Sequence, residues 1–174
     1  MIDAPGGTGK TFLCNVISAC VRKNNNVNIN TALSGVAATL LKLGTTSHRR
    51  FGFPIPCFED SSCTIKLDSE KAKIIAEAKI IFVDECSMMS YKLLDCLNRF
   101  LKTLMNSHAP MGGKLIVLMG DFRQILPVVI GSNREDIVRN TVKCSELWND
   151  FQKFKLTENM RVKKIISNNP EREE

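Results

Sequence analysis

Ala4-Pro5-Gly6-Gly7-Thr8-Gly9-Lys10-Thr11 is the stretch that decides the fold. It joins a short apolar stub at residues 1–3 to a helical pattern over residues 10–23. Glycines let a backbone curl until successive N–H groups face one point, and the N-terminus of the following helix adds a dipole that favours an anion there. In such a loop Lys10 reaches β- and γ-phosphates and the Thr11 hydroxyl ligates Mg²⁺; Phe12 is the last of the candidate nucleotide-binding residues. The first position of the usual G-x-x-x-x-G-K-[ST] pattern is Ala4. Alanine gives up the freedom of positive φ but is small enough for the tight turn. The competing reading is a plain glycine-rich turn, which leaves Gly-Lys-Thr in register unexplained.

Working outward, Ile80-Ile81-Phe82-Val83 is a buried-strand pattern that runs into Asp84-Glu85. A strand ending in two acids lets Asp84 hold Mg²⁺ through water and lets Glu85 accept a proton from an attacking water. By itself the acid pair could be a helix cap. Behind a phosphate loop and an intervening strand and helix, it completes a nucleoside-triphosphatase signature. Leu118-Met119-Gly120-Asp121-Phe122-Arg123-Gln124-Ile125-Leu126-Pro127 then brings a strand to a glycine turn and two polar side chains. Gln124 at a strand's C-terminal edge can contact a γ-phosphate or its attacking water. The plainer alternative is an ordinary turn with Asp121 as a cap.

Apolar runs alternate with helical patterns along the rest of the chain, which predicts a parallel sheet with helices on both faces. Strands are expected over 27–32, 79–83, 114–119 and 154–156. Helices are expected over 10–23, broken by Asn24-Asn25-Asn26, then over 34–43 and 69–78. Leu93, Leu94, Leu97, Phe100, Leu101 and Leu104 mark an amphipathic helix. The pattern is lost over 44–67, which reads as a long surface excursion, and residues 134–151 are weakly helical. The expected division is one P-loop domain over 1–162 and a loose polar tail over 163–174.

Composition agrees. The chain has 174 residues, of which 44% are apolar or aromatic, enough for one sizeable core and too few for two full domains. No apolar run approaches the ~20 residues of a membrane helix, and Met1 leads into Ile2-Asp3-Ala4-Pro5 without the segments of a secretory leader. A membrane partner is therefore not expected. The net charge of +6 is compatible with a nucleic-acid partner but carries little weight. Seven scattered cysteines, with no C-x-x-C pair, read as reduced thiols.

Ala4–Thr11, Asp84-Glu85, the Gly120–Pro127 block and Leu156-Thr157-Glu158-Asn159-Met160-Arg161 follow one another in an order that closely resembles the Pif (petite integration frequency) family of superfamily-one DNA helicases, especially its Helitron-like branch. The resemblance covers about residues 2–161. It implies a three-layer α/β P-loop NTPase fold of RecA-like type with a mostly parallel central sheet. The activity it implies is ATP- and Mg²⁺-dependent unwinding with 5′→3′ polarity, in DNA repair, recombination and telomere maintenance, inside the cell and in the nucleus. The implied partners are single-stranded DNA, duplex junctions and a second motor domain.

Ser34 through Phe51 is similar to the family's first DNA-contacting segment. On that likeness Thr46, with nearby arginines, would hold phosphates, and His48 or Phe51 would stack on an unpaired base. From the residues alone, His48 is a loop hydrogen-bonding residue and Phe51 the anchor of a small cluster. Arg161 resembles the family's arginine that approaches the γ-phosphate; otherwise it is a surface arginine. An upstream adenine-cradling segment and the motifs of the second motor domain are missing, so the chain is expected to be truncated at both ends relative to the family and poorly active alone. Two other readings stand beside this one. They are a non-catalytic nucleotide- or DNA-binding relic of a mobile element, and a P-loop phosphotransferase.

Overall fold

The computed structural model describes residues 1–124 and 134–168. Six strands, β1 (Ile2–Asp3), β2 (Asn28–Ala32), β3 (Thr45–Thr46), β4 (Ile80–Asp84), β5 (Leu115–Gly120) and β6 (Phe154–Lys155), form one sheet in the order β3-β2-β4-β5-β1-β6. Every pairing is parallel. The helices are α1 (Lys10–Lys23), α2 (Gly35–Leu40), α3 (Ser47–Phe51), α4 (Glu70–Glu77), α5 (Tyr91–Leu104), α6 (Arg134–Arg139) and α7 (Met160–Asn168). Among the described residues no helix is long and apolar enough to cross a membrane.

The three layers follow from strand alternation. All five residues of β4 are buried, as a strand covered on both faces requires. Ile81 and Val83 face a cluster with Leu94, Leu97 and Leu101 of α5. Ile80 and Phe82 face the opposite one, with Cys14 of α1 and Ala37 and Ala38 of α2. Helix α5 buries the predicted leucine stripe, starting at a Ser90 cap whose hydroxyl accepts the Leu93 N–H at 3.3 Å. Each fully covered leucine contributes about 1.5–3 kcal/mol of transfer energy.

All strands but β3, with α1 and α4, match expectation within a residue or two, and α5 carries the expected apolar stripe. The helix predicted over 34–43 ends earlier, at Leu40. Leu43 takes a left-handed φ of 56°, and a Cβ on Gly44 would lie 2.3 Å from the Ala38 carbonyl oxygen, so the chain turns there. The expected 44–67 excursion is a correction. Its first part is strand β3 and the five-residue α3, and it buries Phe51 and Phe53 in the main core. An element of five residues is too short to show a period. Residues 134–151 form α6 and two 3₁₀ turns, Val142–Cys144 and Glu146–Asp150. The expected loose tail continues instead as α7 through Asn168. Ile125, Leu126 and Pro127, and residues 169–174, lie outside the described residues.

Candidate functional site

Strand β1 delivers the glycine loop to the C-terminal edge of the sheet, where the Ala4 N–H donates to the Gly120 carbonyl of β5 at 2.9 Å. Inside the loop the Thr8 hydroxyl and N–H both donate to the Pro5 carbonyl, at 2.8 and 3.3 Å. Gly7 and Gly9 have φ of 84° and 89°, the left-handed region that glycine enters without steric cost. Side chains accept from the first turns of α2, α3, α4 and α5, through Ser34, Thr46, Ser69 and Ser90. Helix α1 has Gly9 at that position and no side-chain cap. Its leading N–H groups are left for an external acceptor, which is the physical requirement for holding phosphate.

Above the loop is a cavity of about 420 Å³ lined by Pro5, Gly6, Gly7, Gly9, Lys10, Thr11 and Phe12, and also by Glu85, Gln124 and Arg161. The loop residues, one member of the acid pair, the glutamine and the arginine singled out in the sequence thus share one space. Thr8 points inward and is buried. Asp84 is buried at the end of β4, 3% exposed, with its Oδ1 accepting the Glu85 N–H at 2.8 Å. Glu85 itself has a left-handed φ of 56°, a conformation that costs energy for a residue with a Cβ and concentrates at working sites.

Lys10 Nζ lies 3.1 Å from Asp84 Oδ1 and 3.4 Å from Glu85 Oε1. Burial works against its charge, but the two carboxylates outweigh that cost and hold the ammonium above its usual pKa. The contact shows that the acid pair accepts a cation. Together with the Thr11 hydroxyl it is a set of hard oxygen donors of the kind Mg²⁺ takes.

Two further blocks close on the loop. Burial alone would raise the Asp121 carboxyl, yet it sits below its usual value because the Arg123 N–H and guanidinium and the Gly6 N–H donate to it. Its second oxygen accepts Gln124 Nε2 at 3.0 Å, which holds that amide beside Gly6. From the other side the Met160 N–H donates to the Gly7 carbonyl at 3.0 Å. Asn159 Oδ1 accepts the Arg161 and Val162 N–H groups and so caps α7. A Cβ on Gly7 would stand 2.7 Å from that oxygen and 3.2 Å from Arg161 Cδ. Asn159 was not among the candidate residues. Its signal was an Asn directly before a helical run, the ordinary capping pattern.

The three nucleic-acid candidates have structural duties. Thr46 caps α3, its hydroxyl accepting the Arg49 N–H at 3.3 Å. His48 is half-buried, edge-on to Phe53 with centroids 5.6 Å apart, and burial lowers its pKa. Phe51 is 0% exposed, so the expectation that it stacks on a base is corrected: neither ring face is open. Beside them Thr45, Arg49, Arg50 and Lys71 line a cavity of about 510 Å³ with no carboxylate in its wall. Arg50 Nε is buried with no hydrogen-bond partner among the described residues, and burial followed by the Arg49 charge lowers the Arg50 pKa. Lys71, from α4, was missed because it lies far along the chain from the arginines it joins.

The model of the PIF1-like helicase family matches residues 1–174. The chain belongs to the PIF1-like helicase family. It is 31% identical over 151 residues to the ATP-dependent DNA helicase Pif1 of Psychrobacter sp., covering 86% of this chain and 22% of that one. It is 33% identical over 157 residues to uncharacterized protein 030L of invertebrate iridescent virus 6, covering 84% of this chain and 29% of that one. The chain therefore spans well under half the length of these relatives. Among solved structures, Bacteroides Pif1 bound to single-stranded DNA superposes with a TM-score of 0.78 at 24% identity, over 96% of this chain and 41% of that one, a likeness of fold. A Bacteroides Pif1 in complex with ADP-AlF3 and single-stranded DNA gives 0.78 at 25% identity, over 92% and 38%. The PIF1-like assignment accounts for the Gly120 and Asn159 blocks, which a phosphotransferase reading leaves idle. Neither that reading nor the relic is favoured.

Proposed function

We propose that this chain is the first motor domain of an ATP-dependent DNA helicase of the PIF1-like family, which couples hydrolysis to movement along single-stranded DNA. The observation that carries it is the meeting of an uncapped α1, Lys10, Glu85, Gln124 and Arg161 around one cavity, with Asp84 held against Lys10.

Lys10 cannot hold both acids and a triphosphate. When phosphate takes up the leading N–H groups of α1, Lys10 leaves the acid pair for the β- and γ-oxygens. That releases Asp84 to hold Mg²⁺ with Thr11, and Glu85 to accept a proton from water. Mg²⁺, when bound, draws negative charge off the phosphates. Gln124, held by Asp121, orients the water, and Arg161 neutralises charge developing on the γ-phosphate. A second motor domain would complete the cleft and convert each turnover into a step. A 5′→3′ direction, an intracellular and nuclear setting, and service in repair, recombination and telomere maintenance belong to this reading.

The DNA strand is assigned to the Arg49–Arg50–Lys71 face, with Thr46 and His48 supporting the loop that presents it. Cations without acidic partners suit phosphodiesters, and a buried Phe51 has no stacking role in this assignment.

ATPase assays with and without single-stranded DNA test the proposal, on this chain and on a chain carrying a second motor domain. Lys10→Ala should lose nucleotide binding. Glu85→Gln should still bind while turnover falls ~10²-fold or more. Equal loss of binding in both variants would make Glu85 a structural residue, and normal affinity in Lys10→Ala would end the phosphate-loop assignment.

A further inference from the structure

Away from the nucleotide cavity, the segment of residues 52–67 lies over α5 and brings cysteines together. Cys63 Sγ is 3.7 Å from Cys96 Sγ, although the two are 33 residues apart in the chain. Cys96 is buried on α5, whereas Cys63 and Cys57 are only partly covered. Two hydrogen bonds fasten the segment to α5, from residues on either side of Cys96 in the helix to two residues just before Cys63. Tyr91 OH donates to Glu59 Oε1 at 2.6 Å, and Arg99 Nη2 donates to the Ser61 carbonyl at 2.6 Å. The Cys63 S–H can also donate to the Cys96 carbonyl, at 4.0 Å. Both ends of the S···S contact are therefore held in place before any bond forms. A disulfide needs about 2.05 Å between sulfurs, so closing this gap asks for a small approach of side chains already in contact.

We propose that Cys63 and Cys96 are an oxidisable dithiol whose disulfide staples the 52–67 segment to α5. The oxidant is a hydroperoxide. Cys96 Sγ, held as a thiolate, attacks it and takes one oxygen, giving a sulfenic acid and, from hydrogen peroxide, one water. Cys63 Sγ then attacks that sulfur, the S–S bond forms and hydroxide leaves, taking up the proton Cys63 gives up to make a second water. Two thiols lose two electrons in total, and the peroxide gains them. The surroundings favour the attacking thiolate. The hydrogen bond from Cys63 and the charge of Arg99 hold the Cys96 thiol below its usual pKa against its burial. Burial first and Cys96 next raise the Cys57 thiol above its usual value.

The test uses the full 174-residue chain with Cys20 and Cys144, both exposed, changed to serine so that chains cannot cross-link through them. After hydrogen peroxide, the mass should fall by two hydrogens and digestion should yield one peptide pair joining residues 63 and 96. The thermal midpoint should rise by roughly 6–12 °C, since closing such a loop restricts the unfolded chain. A phosphine reductant should reverse both changes, and Cys63→Ser, a near-isosteric change at a partly covered site, should show neither. A sulfinic or sulfonic acid on either sulfur without the linked peptide would overturn the proposal. So would a disulfide that joins Cys57 in place of either partner.

Discussion

Two strand-to-helix junctions at the same end of the sheet make opposite use of similar parts. At the β1–α1 junction the helix begins on Gly9 without a side-chain cap, and its backbone is left facing a cavity. At the β3–α3 junction Thr46 caps the helix from within, its hydroxyl taking up the Arg49 N–H. The first junction offers main-chain N–H groups, so glycines carry it. The second offers side chains, and these are Arg49, exposed, and Arg50, half-buried beside it, rather than the residues that shape the turn. A junction's chemistry thus depends on which groups the helix start leaves unsatisfied.

The harshest test of that contrast is Phe51→Ala. As a wholly buried ring its loss should cost about 3–5 kcal/mol of stability, read by denaturant unfolding, and DNA affinity should fall only as far as folding does. A variant of native stability that has lost DNA binding would restore the stacking role and erase the difference between the junctions. Asp121→Asn probes the first junction and should cost about 1–2 kcal/mol, because charge-assisted bonds to Gly6 and Arg123 weaken together.

That carboxyl is depressed in the folded chain. Its contribution is therefore present above the unfolded value of 3.8 and is lost as pH falls below it through the folded pKa. Acid titration of stability should steepen below that pH in the wild type and flatten in Asp121→Asn. Identical acid limbs would show that the Gly6 clip carries no charge-dependent energy. The gentlest effect belongs to the second junction. Arg49→Ala with Lys71→Ala should reduce the salt slope of single-stranded DNA binding by roughly 1.4, at about 0.7 for each phosphate left without its cation. Fluorescence anisotropy over a salt series reads it, and an unchanged slope would move the strand off this face.

Legibility in the sequence divides along the same line. The phosphate loop, α1 and β4 could be read because their conformations are set locally, by glycines, by Gly-Lys-Thr in register and by an unbroken apolar run into Asp84. Phe51 misled because an aromatic in a patternless segment carries no mark of which way it points. Only the packing of Phe53, Ile75 and Ile81 around it decides that. The basic cavity was half visible as His48-Arg49-Arg50, while Lys71 joins it through the placement of α4. The cap that Asn159 gives α7 is local, whereas its reach to the Gly6 carbonyl, 153 residues away, and the sulfur contact between Cys63 and Cys96, 33 residues apart, are products of tertiary structure.

The bond from the Met160 N–H to the Gly7 carbonyl has a mechanical meaning. Helix α7 stands on the phosphate loop as a lever stands on its fulcrum, with the nine residues Met160–Asn168 forming an arm about 13 Å long. Any displacement of the Gly7 carbonyl would tilt the base of this arm, and a tilt there grows along its length. A change at the glycine loop would thus be carried to whatever α7 touches.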